Sequence, residues 1–283
     1  MFDLKNIIHI RGIDHPESLG IGPCGEVYTA GTGRQVYRVN VETSKIEHFA
    51  TTRGRCLGSA VDARGNLYLA HTEGEVLKVT PQSEISVYSA SPRASKYVCP
   101  NYPAFDRRGY LYLSDSGDWS STINGAIYKI PPGGGPAALW YPEPMNTPNA
   151  IALDADEMHL YYVETFGPAL CRIEIKADGS AGRHERVVHK PDWVPDGIAL
   201  DTQNRVWIGC HRPDAIFIFD LVSRKLELFA HDWRGQALRG PSDVAFAGPR
   251  RDIFIAASLD AMHIHRFGDV GARGLALHYP ELN

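Results

Sequence analysis

The chain has 283 residues, 43% of them hydrophobic and 22% charged, with a net charge of −4. That is enough apolar content for one large core or two ordinary ones, and the mild acidity argues against nucleic acid or an anionic membrane surface as the main partner. No apolar run reaches the roughly 18 residues that a membrane helix needs. The first six residues carry no basic segment followed by an apolar one, so no signal peptide is expected and a cytoplasmic location is. The five cysteines, Cys24, Cys56, Cys99, Cys171 and Cys210, are odd in number and include no C-x-x-C pair. They read as reduced thiols.

Taken in chain order, one pattern recurs. A copy begins at Glu17 and continues through apparent strands at 35–39 and 45–49. The next runs from Leu57 through an apolar stretch to Val61, the turn Asp62-Ala63-Arg64-Gly65-Asn66, and the strand Leu67-Tyr68-Leu69. From Asn101 the same order returns, with Asp106-Arg107-Arg108-Gly109 before Tyr110-Leu111-Tyr112-Leu113. A weaker copy starts at Asn149. From Asp196 the pattern is strong again, with Asp201-Thr202-Gln203-Asn204 before Val206-Trp207-Ile208, then strands at 216–219 and 225–229. The last copy starts at Ser242. An apolar strand, a turn of Asp, Gly or Asn, and an aromatic-aliphatic strand make a β-hairpin signature.

The starts at 17, 57, 101, 149, 196 and 242 are separated by 40, 44, 48, 47 and 46 residues. This period predicts an all-β, six-bladed β-propeller with four-stranded blades, one domain over 1–283. A solenoid is the structural alternative, but it should carry distinct capping repeats. The run Pro131 to Pro136 falls between strands of the third copy and reads as a surface turn. The segment Gly274 to Tyr279 reads as an outer strand, and residues 7–10 as a second contributor to ring closure.

In a propeller the first strand of each blade lines the central channel, so the residue just before it sits at one rim. In the six copies that position holds Glu17, Leu57, Asn101, Asn149, Asp196 and Ser242, and a proline precedes all but Leu57. Glu17, Asn101, Asn149 and Asp196 offer carboxylate or carboxamide oxygens. Residues up to about 180 positions apart would thus converge on one ring. Such a set suits one hard divalent ion, calcium first, because calcium accepts six to eight oxygens in irregular geometry. Zinc would favour His and Cys, which are absent there.

Loops after each second strand return to the same rim. They carry Thr29, His71, Ser116 to Trp119, Thr165-Phe166, His211-Arg212 and Ser258 to Asp260. Trp119 and Phe166 suggest an aromatic wall for a substrate less polar than a sugar acid, and His71 or His211 a polar contact or proton shuttle. The segment Asp115-Ser116-Gly117-Asp118 looks like part of a calcium loop but lacks the rest of an EF-hand, and reads as a loop. No G-x-S-x-G elbow is present.

The segments Pro16-Glu17-Ser18-Leu19, Pro100-Asn101, Pro148-Asn149-Ala150-Ile151-Ala152-Leu153 and Pro195-Asp196-Gly197-Ile198-Ala199-Leu200-Asp201 resemble the senescence marker protein/gluconolactonase family over essentially the whole chain. The resemblance implies a six-bladed propeller with one catalytic divalent metal, held by Glu17, Asn101, Asn149 and Asp196. Calcium, zinc, manganese and magnesium all serve members of this family. It implies a small-molecule substrate, a lactone, with Asp196 as catalytic base or nucleophile and Asn101 also orienting the substrate. Two positions depart from the family pattern: Cys99 stands where sugar lactonases often have Arg, and Ala150 stands where Gly is usual. Two other functions share the scaffold: a non-enzymatic binding propeller, which has no need of the oxygen ring, and a lyase or condensing enzyme, whose activity survives chelation.

Overall fold

The computed structural model describes residues 1–92 and 96–282. Six four-stranded antiparallel sheets follow one another along the chain and form the six blades of a β-propeller. Among the described residues the only helical element is a short turn at Leu4–Asn6, and no helix is long and apolar enough to cross a membrane. The first, channel-lining strands are Gly20–Ile21, Cys56–Val61, Pro100–Phe105, Pro148–Leu153, Val194–Leu200 and Pro241–Ala247. They match the six predicted starts. The run Pro131 to Pro136 lies between the strands Ala126–Ile130 and Ala138–Leu139, as expected. All five cysteines are free.

The repeated turn has a local cause. Asp62 Oδ1 accepts from the amides of Arg64 and Asn66, Asp106 Oδ1 from those of Arg108 and Tyr110, and Asp201 Oδ1 from those of Gln203 and Arg205. One carboxylate thus satisfies two turn donors that the ladder leaves over. Neighbouring blades then bury their apolar faces against each other. Between the fifth and sixth blades Trp207 meets Phe229, Phe246 and Phe254 at ring-centroid distances of 4.8, 5.5 and 4.5 Å. Such aromatic contacts add to a burial worth about 25 cal/mol per Å².

Ring closure differs from expectation in one respect. The sixth blade consists of Pro241–Ala247, Ile253–Ser258, His263–Arg266 and, as its outer strand, Ile8–Arg11 from the other end of the chain. Gly274 to Tyr279 is therefore not an outer strand, because the edge it would need is already paired with Ile8–Arg11. It crosses the end of the channel away from the predicted ring. There Gly274 bridges to Asp201, the Leu275 amide donates to the Leu200 carbonyl, and the Tyr279 hydroxyl reaches the carbonyls of Ile21 and Gly22. A cavity of about 110 Å³ lies between this tail and the first strands.

Candidate metal centre and active site

Five of the six first strands shift register near their entry: between Cys56 and Ser59, Pro100 and Pro103, Pro148 and Ile151, Pro195 and Ile198, and Pro241 and Asp243. Asn101, Asn149 and Asp196 sit inside these irregularities, not just ahead of the strands. The reason is that a bulge adds a residue and re-aims its side chain. The bulge also brings backbones close. A Cβ on Gly197 would overlap the Asp243 backbone, and one on Gly58 would overlap the Asn101 carbonyl, so both positions need glycine. In the fourth blade Ala150 occupies the same phase and is 1% exposed within a core cluster.

The two carboxamides are held by the same device. Asn101 Nδ2 donates to Ser116 Oγ at 2.8 Å, and Ser116 Oγ donates to the Pro148 carbonyl of the next blade at 2.8 Å. Asn149 Nδ2 donates to Thr165 Oγ1 at 3.2 Å, and Thr165 Oγ1 donates to the Pro195 carbonyl at 2.9 Å. Each amide nitrogen is thereby turned to its own blade's second strand, leaving Oδ1 free to serve as an acceptor or ligand.

Asp196 lies among like charges. Its carboxyl is held well above the ordinary range, first by burial, then by the charges of Glu17 and Asp243, with a hydrogen bond from Asn149 pulling the other way. Glu17 also pairs with Arg55 through Oε2. A half-buried carboxylate among the charges of two more, beside two buried amides whose oxygens are freed by hydroxyl clamps, is a donor set that fits a hard divalent cation. Leu57, the apolar member of the ring, contributes a carbonyl that accepts from Ser18 Oγ at 2.8 Å. Ser242 Oγ donates to the Pro16 carbonyl at 3.3 Å.

Three further residues at the site escaped the reading of the sequence. Asp243 sits one position past the aligned Ser242. Its Oδ2 accepts from the Leu19 amide and the Tyr102 hydroxyl, and its Oδ1 from the Val244 amide. Burial pushes it up to about 7, with Glu17 adding to the rise. It ties blades one, three and six together under the ring. Tyr102, its partner, directly follows Asn101. Arg55 stands two residues before Leu57, the phase at which Cys99 precedes Asn101. The available signal was that phase, read in the neighbouring blade.

The wall residues fall out unevenly. Trp119 and Phe166 are 39% and 45% exposed and meet edge to face at 5.8 Å. Trp119 Nε1 donates to Cys99 Sγ at 3.3 Å. His211 is half-buried, 3.6 Å from Asp260. His71 is fully buried beside Gly54, so its ring meets no solvent. Asp115 spends its carboxylate on the amides of Val98, Cys99 and Gly117. That is a loop role. If Trp119 and Phe166 contact substrate, replacing both by Ala should raise KM for apolar substrates by about tenfold, the equivalent of 1.4 kcal/mol of lost contact, and barely change it for polar ones. Equal losses on both classes, measured by initial rates, would remove them from the pocket.

Comparison with known proteins agrees with this architecture. The chain is similar to the lactonase drp35 of Staphylococcus saprophyticus, with 21% identity over 198 residues, 66% of this chain and 60% of that protein. The match therefore spans about 60% of the length of that relative. Two solved structures share the fold at a TM-score of 0.78. One is a gluconolactonase of Xanthomonas campestris, 16% identical, covering 95% of this chain and 89% of that one. The other is a calcium-binding protein, regucalcin, of Agrobacterium tumefaciens, 14% identical, covering 96% and 95%. The sequence model of the SMP-30/gluconolactonase/LRE-like region matches residues 28–258. With that span, the chain belongs to the SMP-30/gluconolactonase/LRE-like family.

Proposed function

We propose that the protein is a divalent-metal-dependent hydrolase of the lactonase type. Glu17, Asn101, Asn149 and Asp196 would hold one ion, calcium, and Asp196 would activate water. The observation that carries this reading is the half-buried Asp196 carboxylate set among the charge of Glu17 and the clamped Asn149 amide. A bound divalent ion would supply Lewis-acid polarisation of the lactone carbonyl. Asp196 takes the proton of the attacking water and returns it to the ring oxygen as the acyl–oxygen bond breaks, giving a hydroxy acid. Asn101 and Asn149 orient the substrate through their fixed amides. Arg55, anchored by Glu17, places a guanidinium at the mouth where the polar end of the substrate enters. Trp119 and Phe166 cover its apolar part, and His211 forms the polar side of the wall. His71 supports that wall from behind.

The test is turnover of aliphatic, aromatic and sugar-derived lactones before and after chelation. Hydrolysis should fall to background in chelator and return on adding calcium. Hydrolysis that is indifferent to chelation would overturn the metal dependence, and a product other than the hydroxy acid, formed despite chelation, would point to a lyase or condensing reaction. Metal binding without hydrolysis of any lactone would count against the proposal equally.

A further inference from the structure

The three histidines His9, His263 and His265 lie on one face of the sixth blade, at its outer edge. His263 and His265 alternate along the strand His263–Arg266, so they project to the same side. His9, on the closing strand Ile8–Arg11, stands directly opposite His265 in register. Their ring centroids form a triangle with sides of 4.9, 5.0 and 4.8 Å, and each pair is edge to face, not stacked.

We propose that His9, His263 and His265 form a second metal site, for a borderline divalent ion such as Zn²⁺. One nitrogen from each ring lies within 4.8 Å of the others, and His9 Nδ1 is already 3.0 Å from His265 Nδ1. Zinc–nitrogen bonds of about 2.0 Å in a tetrahedron place ligand nitrogens roughly 3.3 Å apart, so a small rotation of the rings suffices. Imidazole is the ligand that suits such ions, whereas the oxygen ring at the channel mouth suits harder ones.

The surroundings favour ligation over a simple buried polar cluster. His265 Nε2 donates to the Leu238 carbonyl at 2.7 Å, which leaves the lone pair of the neutral ring on Nδ1, facing His9. A backbone anchor of this kind is how metal-binding imidazoles are usually oriented. The His9–His265 hydrogen bond accounts for two rings only. His263 Nε2 is buried and has no hydrogen-bond partner among the described residues. A cavity of about 430 Å³ opens beside His9 and His263, flanked by Arg11 and Arg239. It leaves room for a fourth ligand, and the two guanidiniums favour an anionic one, hydroxide or chloride. An ion here would join the N-terminal strand to the last strand of the chain, so binding should also strengthen ring closure.

The test is titration of metal-stripped protein with Zn²⁺ against a chromogenic chelator, with the visible spectrum of the Co²⁺ form. Wild type should take up one tightly held Zn²⁺ in addition to any ion at the channel mouth, and Asp196→Asn, altered only at that mouth, should retain it. His9→Gln and His263→Gln should each weaken it by roughly 100-fold or more. Co²⁺ should give the intense absorption of a tetrahedral nitrogen site. Equal Zn²⁺ affinity in the histidine variants, or a wild-type Co²⁺ spectrum that shows only the weak bands of octahedral oxygen ligation, would overturn the proposal. The Co²⁺ spectrum of the unmutated chain decides the matter even if a variant fails to fold.

Discussion

Asp196→Asn is expected to lower kcat/KM for the best lactone by roughly 1,000-fold, because it removes both the proton acceptor and an anionic metal ligand. The same substitution should make the metal-free protein more stable. In the absence of an ion the Asp196 carboxyl is poorly solvated and faces the charges of Glu17 and Asp243, an arrangement that resists ionisation. Asparagine keeps the shape and removes the charge. Relief of a poorly solvated carboxylate facing two like charges is worth on the order of 1–4 kcal/mol, which for a domain of this size is a rise of about 2 °C or more in Tm. Saturating calcium should reverse the order, since it stabilises wild type by about 4.1 kcal/mol at 1,000 times Kd. Calorimetry above neutral pH, with chelator and with calcium, measures both effects. A variant that loses activity and also loses stability in chelator would make Asp196 a structural residue. One that keeps its activity would remove it from the chemistry.

The largest loss of stability should come from Asp201→Ala. Asp201 is fully buried and accepts four hydrogen bonds: from the Gln203 and Arg205 amides, from Arg205 Nε at 2.7 Å and from Trp207 Nε1 at 2.8 Å. Alanine would leave all four donors without partners, one of them on a guanidinium only 22% exposed. The cost should be about 4 kcal/mol, or a fall of about 7 °C in Tm. Asp154→Ala is the internal control. Asp154 performs the same turn duty for Met158 and His159 but is 22% exposed at its side chain, so water can replace much of what is lost. Chemical denaturation of both variants should show the larger loss at Asp201. Equal losses would mean that burial adds nothing to the repeated turn.

These two aspartates also mark how far local sequence reaches. The turn carboxylate, the strands on either side of it and the 40- to 48-residue spacing of the copies are short-range features. Such a carboxylate satisfies donors only two to five residues away, so the pattern survives in the sequence. Asn101, Asn149 and Asp196 were legible as candidates for a related reason. A repeat places equivalent residues at equivalent points of every blade, and phase alone identifies them.

Beyond that, distant contacts decided the outcome. Asp243 lay one position out of phase, because a bulge changes which residue faces the channel, and bulges depend on how two strands pair. Arg55 reaches Glu17 from the next blade, a meeting that no spacing along one blade encodes. Gly274 to Tyr279 has the composition of a strand, yet it crosses the channel end because the edge of the sixth blade was already taken by Ile8–Arg11. The histidine triangle needs that same pairing, since His9 and His265 are 256 residues apart and meet only through register. The sequence by itself determined the hairpins, their number and the phase at which the candidate oxygen donors recur, all of which follow from local hydrogen bonding and period. Tertiary structure alone decided which chain end closes the ring, which charges meet at its mouth and which histidines share a face, because each depends on free energy gained only when blades far apart in the chain are packed together.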